Sequence, residues 1–252
     1  MTRIKGQIIV KTQCCSRVFA APNYISMNFR ADEYWTDGSS YGALMANDTG
    51  LRQCICGKFI LESQVTQIGV KEKSELPFLS HVPSEELVNC LEKIEDTNVE
   101  IAARIAFWWH LNEPYKEAYR AHQGTPKNKP YKKGFFALFN PSKTEAKRKS
   151  IELISHEDKN IKIPNFNLRD EQRTNMQRLY YLIKTIKSDS NKLYLKTVMA
   201  ELLREQGFFN ETLKLLSETG HRNHMLELIY HMATCNESAP IRYKLDESPI
   251  IF

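Results

Sequence analysis

Lys71-Glu72-Lys73-Ser74-Glu75-Leu76-Pro77-Phe78-Leu79-Ser80-His81-Val82-Pro83 is the stretch at which this chain changes character. It combines charge with two prolines and follows neither the two-residue period of a strand nor the 3.6-residue period of a helix, the pattern of a connection between domains. Before it, from Lys5 to about Val70, helix signals are scarce. Short apolar or aromatic runs at Ile8 to Lys11, Val18 to Ala21, Tyr24 to Asn28, Glu33 to Trp35 and Phe59 to Val65 alternate with turn groupings. Those groupings, Ala21-Pro22-Asn23, Thr36-Asp37-Gly38-Ser39 and Asn47-Asp48-Thr49-Gly50, are rich in residues that accept the backbone angles of a chain reversal. Residues 1–70 therefore read as a small antiparallel β unit, and 71–83 as a linker.

After the linker the period becomes helical. Ser84 is placed to cap a helix through Ile94, with Leu87, Leu91 and Ile94 on one face and Glu85 and Glu86 in the first turn, where carboxylates favour the free amides. Thr97-Asn98-Val99-Glu100 has capping-box form and predicts a helix to about Asn112, with Ile101, Ile105, Trp108 and Leu111 inward. Further helices are expected over about 167–187, 190–206, 210–218 and 221–232. The class expected is α+β: an antiparallel β unit followed by an all-helical domain over 84–252. Residues 114–150 hold four prolines and no sustained period, and read as a long loop.

Composition sets the outer limits. The chain has 252 residues, 42% of them hydrophobic and 26% charged, enough apolar material for a packed core and near ordinary globular usage. The apolar run Ile8-Ile9-Val10 is far shorter than the core of an export signal. The most apolar window, Ile101 to Leu111, contains Arg104 and His110 and excludes a membrane span. Six cysteines without an export signal imply a reducing compartment, so a cytoplasmic location is expected, with thiols or metal ligands rather than disulfides.

Cys14-Cys15 and Cys54-Ile55-Cys56-Gly57 lie about forty residues apart, each near the end of an expected strand. Together they suggest the two knuckles of a zinc ribbon, in which four thiolates close a tetrahedral site and stabilise a β unit too small to hold itself together. A standard knuckle separates its cysteines by two residues, whereas these are separated by none and by one. The second reading is a lapsed site whose thiols are small apolar core groups. Zinc on Cys14, Cys15, Cys54 and Cys56 is the only cofactor the sequence suggests.

Ser26-Met27-Asn28, Trp35-Thr36-Asp37-Gly38 and Cys54-Ile55-Cys56-Gly57-Lys58-Phe59 resemble segments of an uncharacterised group of bacterial proteins with a zinc-ribbon-like N-terminus. The likeness covers about fifty residues and continues through Trp108-Trp109-His110-Leu111-Asn112 and through Ala200 to Leu216. Thr12 and Gln53 stand where the group has the first cysteine of each pair. What the resemblance implies is architecture; it implies no activity.

Ala200 to Leu213 looks like the turn of a tetratricopeptide repeat, within a hairpin over 192–218: a helix ended by Gly207, an aromatic (Phe209) between the helices, and Thr212 where alanine is usual. With one copy visible, an ordinary helical hairpin is the other reading. Between Lys116 and Lys149 ten basic residues face two acidic ones, and Tyr115, Tyr119, Tyr131, Phe135, Phe136 and Phe139 interleave with those charges. Lys127, Lys129, Lys132, Lys133, Lys147, Arg148 and Lys149 are the candidate phosphate or nucleic-acid contacts; a solvated insertion is the alternative.

For catalysis the strongest single group is His110, with Glu113 three residues on; His221 and His224 share a helical spacing but lack further ligands. Asp37 sits on a turn, where Asp-Gly is common hairpin chemistry. No Gly-rich phosphate loop, nucleophile elbow or dinucleotide fingerprint occurs. The expected function is thus a non-catalytic interaction or scaffold protein that binds another protein. The alternatives are a nucleic-acid-associated accessory protein acting through 116–149, and an enzyme that no motif marks.

Overall fold

A computed structural model describes residues 3–26, 31–42, 49–123, 165–186, 192–219 and 224–243. The elements run β1 (Arg3–Lys11), β2 (Val18–Ser26), β3 (Glu33–Trp35), β4 (Ser40–Tyr41), β5 (Leu51–Gln53), β6 (Phe59–Leu61), β7 (Thr66–Lys71) and β8 (Ser80–His81). Then follow α1 (Leu87–Leu91), α2 (Thr97–Gln123), α3 (Asp170–Thr185), α4 (Lys192–Glu205), α5 (Phe209–Ser217), α6 (His224–Thr234) and β9 (Arg242–Tyr243). The class is α+β, with antiparallel sheets first and helices after.

Three small sheets form, in the orders β2-β1-β7, β4-β3-β9 and β6-β5-β8. In the first, Val10 stands opposite Phe19, and both enter a core with Cys54, Ile60 and Leu79. β2 runs unbroken through Ala21-Pro22-Asn23, where the sequence suggests a turn. Pro22 pairs with Gln7 where β1 shifts register, so the missing N–H interrupts a ladder that is already irregular. The stretch 71–83 is itself paired: the Ala20 amide donates to the Pro77 carbonyl at 2.9 Å, and β8 lies along β5. It thus threads between two of the sheets.

Helix starts differ from expectation by a residue or two. Asp96, one residue before the expected Thr97 cap, accepts the Asn98 and Val99 amides at 2.8 and 3.1 Å, its carboxylate being the stronger acceptor. Ser84 opens a single 3-10 turn before α1 and makes no side-chain cap. The largest correction concerns α2, which does not stop at Asn112 but continues through Pro114 to Gln123. The proline removes one internal amide, and the turn it weakens is anchored from outside. Gln172 Nε2 and Arg169 Nη2 donate to the Leu111 carbonyl at 3.1 and 3.5 Å. The long loop therefore does not begin at 114.

Ile101, Ile105 and Trp108 of α2 pack with Met176, Leu179, Leu182 and Ile183 of α3 and with Val198 and Leu202 of α4. On the opposite side of α2, Val99, Ala103, Phe107 and Leu111 meet Leu87, Cys90 and Leu51 of β5. α2 is therefore the wall shared by the helices and the sheets. α4 and α5 form the expected hairpin. Gly207 adopts φ +82, and its amide reaches back to the Arg204 carbonyl at 2.9 Å, ending α4. Thr212 is fully buried and donates to the Phe208 carbonyl at 2.9 Å.

Candidate functional site

Two chain reversals carry the cysteines. After β1, the Thr12 amide donates to the Arg17 carbonyl (2.9 Å) and the Ser16 amide to the Thr12 carbonyl (3.0 Å), with Ser16 in the left-handed region at φ 59. Between β5 and β6, the Cys54 amide donates to the Lys58 carbonyl (2.9 Å) and the Gly57 amide to the Cys54 carbonyl (2.8 Å). Gly57 sits at φ +85, an angle glycine takes without strain. The two tips face each other, and Cys14, Cys15, Cys54 and Cys56 place their sulfurs within 4.8 Å of one another. The nearest pairs are Cys15 with Cys54 at 3.5 Å and Cys14 with Cys56 at 3.6 Å.

Four thiolates about 2.3 Å from a zinc ion at tetrahedral angles stand about 3.8 Å apart, so the cluster fits such an ion closely. The four cysteines can hold a metal ion. Adjacent cysteines do not defeat the site, because Cys14 meets Cys56 while Cys15 meets Cys54. Thr12, standing where a first knuckle cysteine is expected, keeps its hydroxyl at the cluster, 3.6 Å from Cys15 Sγ and 3.8 Å from Cys54 Sγ.

The thiols are electrostatically unequal. Hydrogen bonds from Thr12 and the backbone near Arg17 lower Cys15 to about 6, while burial pushes Cys54 up to about 12 and also raises Cys14. Cys54 is buried and Cys56 exposed, so the cluster has one closed and one open side. Cys90, on α1, is buried in the core against α2, and Cys235 lies on the surface, apart from the four.

A second concentration of polar chemistry lies where the 36–39 turn enters the helices. Lys116 Nζ meets Asp37 Oδ2 at 2.5 Å, and both side chains are wholly enclosed. Ser39 gives the Asp37 Oδ1 atom its amide (3.0 Å) and hydroxyl (2.7 Å). Asn112 Nδ2 donates to Asp37 Oδ2 at 3.0 Å and to both oxygens of Glu205, which also accepts Trp108 Nε1 at 2.8 Å. Burial alone would raise Asp37, but the Lys116 charge and the hydrogen bonds from Lys116, Ser39 and Asn112 together outweigh it and hold the carboxyl below its ordinary value. For Glu205 burial dominates and pushes it well above the ordinary carboxyl range, reinforced by the nearby Glu201 and Asp37 charges and only partly opposed by Arg204 and the Trp108 hydrogen bond.

Beside it Arg204, fully buried, makes two hydrogen bonds to Glu201 at 2.6 and 2.8 Å. It also donates to the Glu237 and Ala239 carbonyls and, at 3.4 Å, to Thr36 Oγ1. Only the Glu201–Arg204 pair has a helical i,i+3 spacing that the sequence shows; the contacts that bring Asp37 to Lys116 and Asn112, and Arg204 to Thr36, join residues far apart in the chain, up to 168 positions.

Several expectations change here. Lys116 and Arg120, counted in the basic loop, are residues of α2: Lys116 is enclosed, and Arg120 pairs with Glu113 at 2.6 Å and Glu33 at 2.9 Å. Lys127, Lys129, Lys132, Lys133, Lys147, Arg148 and Lys149 lie outside the described residues. His110 does not have Glu113 as its partner. The Glu113 carboxylate is taken by Arg120 and the Tyr41 hydroxyl, and His110 is exposed and stacked on Phe107 at 6.4 Å. Both border a cleft of about 310 Å³ shared with His81, Trp109, Leu51 and Tyr41. His221 lies outside the described residues, and His224 opens α6.

Neither family models, curated proteins nor solved structures gave a match to this chain, so its site is read from its own geometry. No helix among the described residues is long and apolar enough to cross a membrane.

Proposed function

We propose that this chain is a non-catalytic interaction protein whose β unit is held closed by one zinc ion on Cys14, Cys15, Cys54 and Cys56. The observation that carries the reading is the convergence of four sulfurs within 4.8 Å from two separate reversals, one following β1 and one joining β5 to β6. The β6-β5-β8 sheet has strands of only two or three residues and buries little surface, and a metal tie from its tip to the reversal after the longer β1 is an effective way to hold it. Three thiolate ligands plus an open position would mark a catalytic zinc; four thiolates mark a structural one.

The interaction half of the reading is supported by the apolar surface of the same unit. Ile4, Ile25, Ile68 and Val70 project from the β2-β1-β7 sheet more than half exposed, and Phe78 lies beside it at 52%. Apolar side chains grouped on one small sheet suit a protein partner. The likeness to the bacterial group with a zinc-ribbon-like N-terminus agrees with this reading, and a reducing, cytoplasmic setting would keep the thiols available.

The test is metal content of the purified full-length protein by inductively coupled plasma mass spectrometry, beside a Cys54→Ser/Cys56→Ser variant. About one zinc per chain, absent from the variant, is the expected result. A metal-free wild type prepared without chelators overturns the zinc reading and leaves the cysteines as core thiols.

A further inference from the structure

The enclosed seam between the 36–39 turn and α2 brings together a nucleophile, an electrophile and the donors that a condensation needs. Lys116 Nζ lies 2.5 Å from Asp37 Oδ2, with neither side chain exposed. The Trp35 and Tyr41 rings stand 5.6 and 5.7 Å from the same nitrogen and wall it off. The other carboxyl oxygen, Oδ1, receives both the amide and the hydroxyl of Ser39, at 3.0 and 2.7 Å. Lys116 Nζ donates to that same hydroxyl oxygen at 2.6 Å, so Ser39 orients both partners.

We propose that Lys116 and Asp37 condense spontaneously into an intramolecular isopeptide bond that joins the turn to α2. Three physical conditions support it. Reactants held in contact react as if at very high concentration. A site closed to water slows the return hydrolysis, and the direct contact between Nζ and Oδ2 lets a proton pass within the ion pair to give the neutral amine and acid that react. The two Ser39 donors on Oδ1 stand where negative charge develops when the amine adds to the carboxyl carbon.

The step balances within the pair. One ammonium proton passes from Nζ to Oδ2, leaving a neutral amine whose electron pair attacks Asp37 Cγ. Charge collects on Oδ1 beneath the Ser39 donors. A second proton passes from the nitrogen to Oδ2, the Cγ–Oδ2 bond breaks, and water leaves. Of the three ammonium hydrogens, one remains on the amide and two depart in the water, so no oxidant or co-reactant is required. Asn112 is a positioning residue, donating to Oδ2 at 3.0 Å while linked to Glu205. Glu205 in its protonated form adds no second negative charge to the pocket. The proposal is independent of the metal cluster.

The measurement is the intact mass of the purified full-length protein under denaturing conditions, with tandem mass spectrometry of its tryptic digest. The expected result is a mass lower by one water and a branched peptide joining Asp37 to Lys116, since an acylated lysine resists trypsin. Both features vanish in Lys116→Met. A wild type at the full sequence mass overturns the proposal. A loss of water that persists in Lys116→Met also overturns it, because that marks imide formation at Asp37-Gly38 instead.

Discussion

Replacing Arg204 with methionine is the sharpest probe of the buried ionic layer. Methionine fills much of the arginine volume, so the penalty is electrostatic rather than a cavity. The change leaves the Glu201 carboxylate, 1% exposed, without the cation that binds it at 2.6 Å, and strips donors from the Glu237 and Ala239 carbonyls. Removing one partner of a buried ion pair costs about 3–5 kcal/mol, and each stranded acceptor adds about 1 kcal/mol. A loss of about 5 kcal/mol is expected, against a total of about 5–15 kcal/mol for a typical domain. Urea unfolding followed by tryptophan fluorescence reads it directly, because Trp108 sits in the same layer. The companion Glu201→Leu/Arg204→Met removes both charges and should recover at least about 2 kcal/mol of the loss, since an apolar pair of similar volume often replaces a buried ion pair without cost. A single variant that loses less than about 1 kcal/mol, or a double variant no more stable than the single, would show that the Glu201–Arg204 pair does not hold this layer together.

Three further outcomes follow from the geometry. Cys54→Ser should release the metal and lower the unfolding midpoint of the β unit, while Cys90→Ser, outside the cluster, should keep the metal in the same elemental assay. Because the folded-state pKa of Glu205 is raised, the native state retains a proton that the unfolded chain gives up above the ordinary carboxyl value of 4.5. Stability attached to Glu205 should therefore be full below that value and decline as pH rises toward the raised pKa, and Glu205→Gln should flatten the decline in urea midpoints. Gly207→Ala places a side chain at φ +82 with open space around it, so the cost should be the backbone term alone, about 1 kcal/mol by thermal melts; a cost of several kcal/mol would mean a packing role.

What could be read from the sequence was local. The helical segments after Pro83 announce themselves through their period, and the ends of α4 and α5 through Gly207, because capping and amphipathicity are properties of neighbours in the chain. Pro114 looks like a stop for the same reason. Where α2 passes through it, Gln172 and Arg169 reach the Leu111 carbonyl from about sixty residues away and Lys116 meets Asp37 from a distant turn, contacts that no local pattern shows. The cysteines were legible as candidates and illegible as a cluster. Their spacing argues against a site, yet in the reversal after β1 the adjacent side chains meet different partners, Cys15 with Cys54 and Cys14 with Cys56. Asp37 reads as an ordinary Asp-Gly turn, and nothing within ten residues of it hints at an enclosed lysine.

The pairing of β3 with β9 has a consequence for how the chain is made. Thr36 Oγ1 receives the Ile241 amide, 205 residues further on, and Tyr34 pairs with Tyr243. At ordinary synthesis rates, β3 waits about 10–40 s on the ribosome before its partner emerges, with one ladder edge open throughout. Only β4 can cover it meanwhile, through two residues. The turn that seats Asp37 is thus among the last parts of the molecule to be locked, and a nascent chain halted before residue 240 is expected to be a good client for chaperones that grip exposed strand edges.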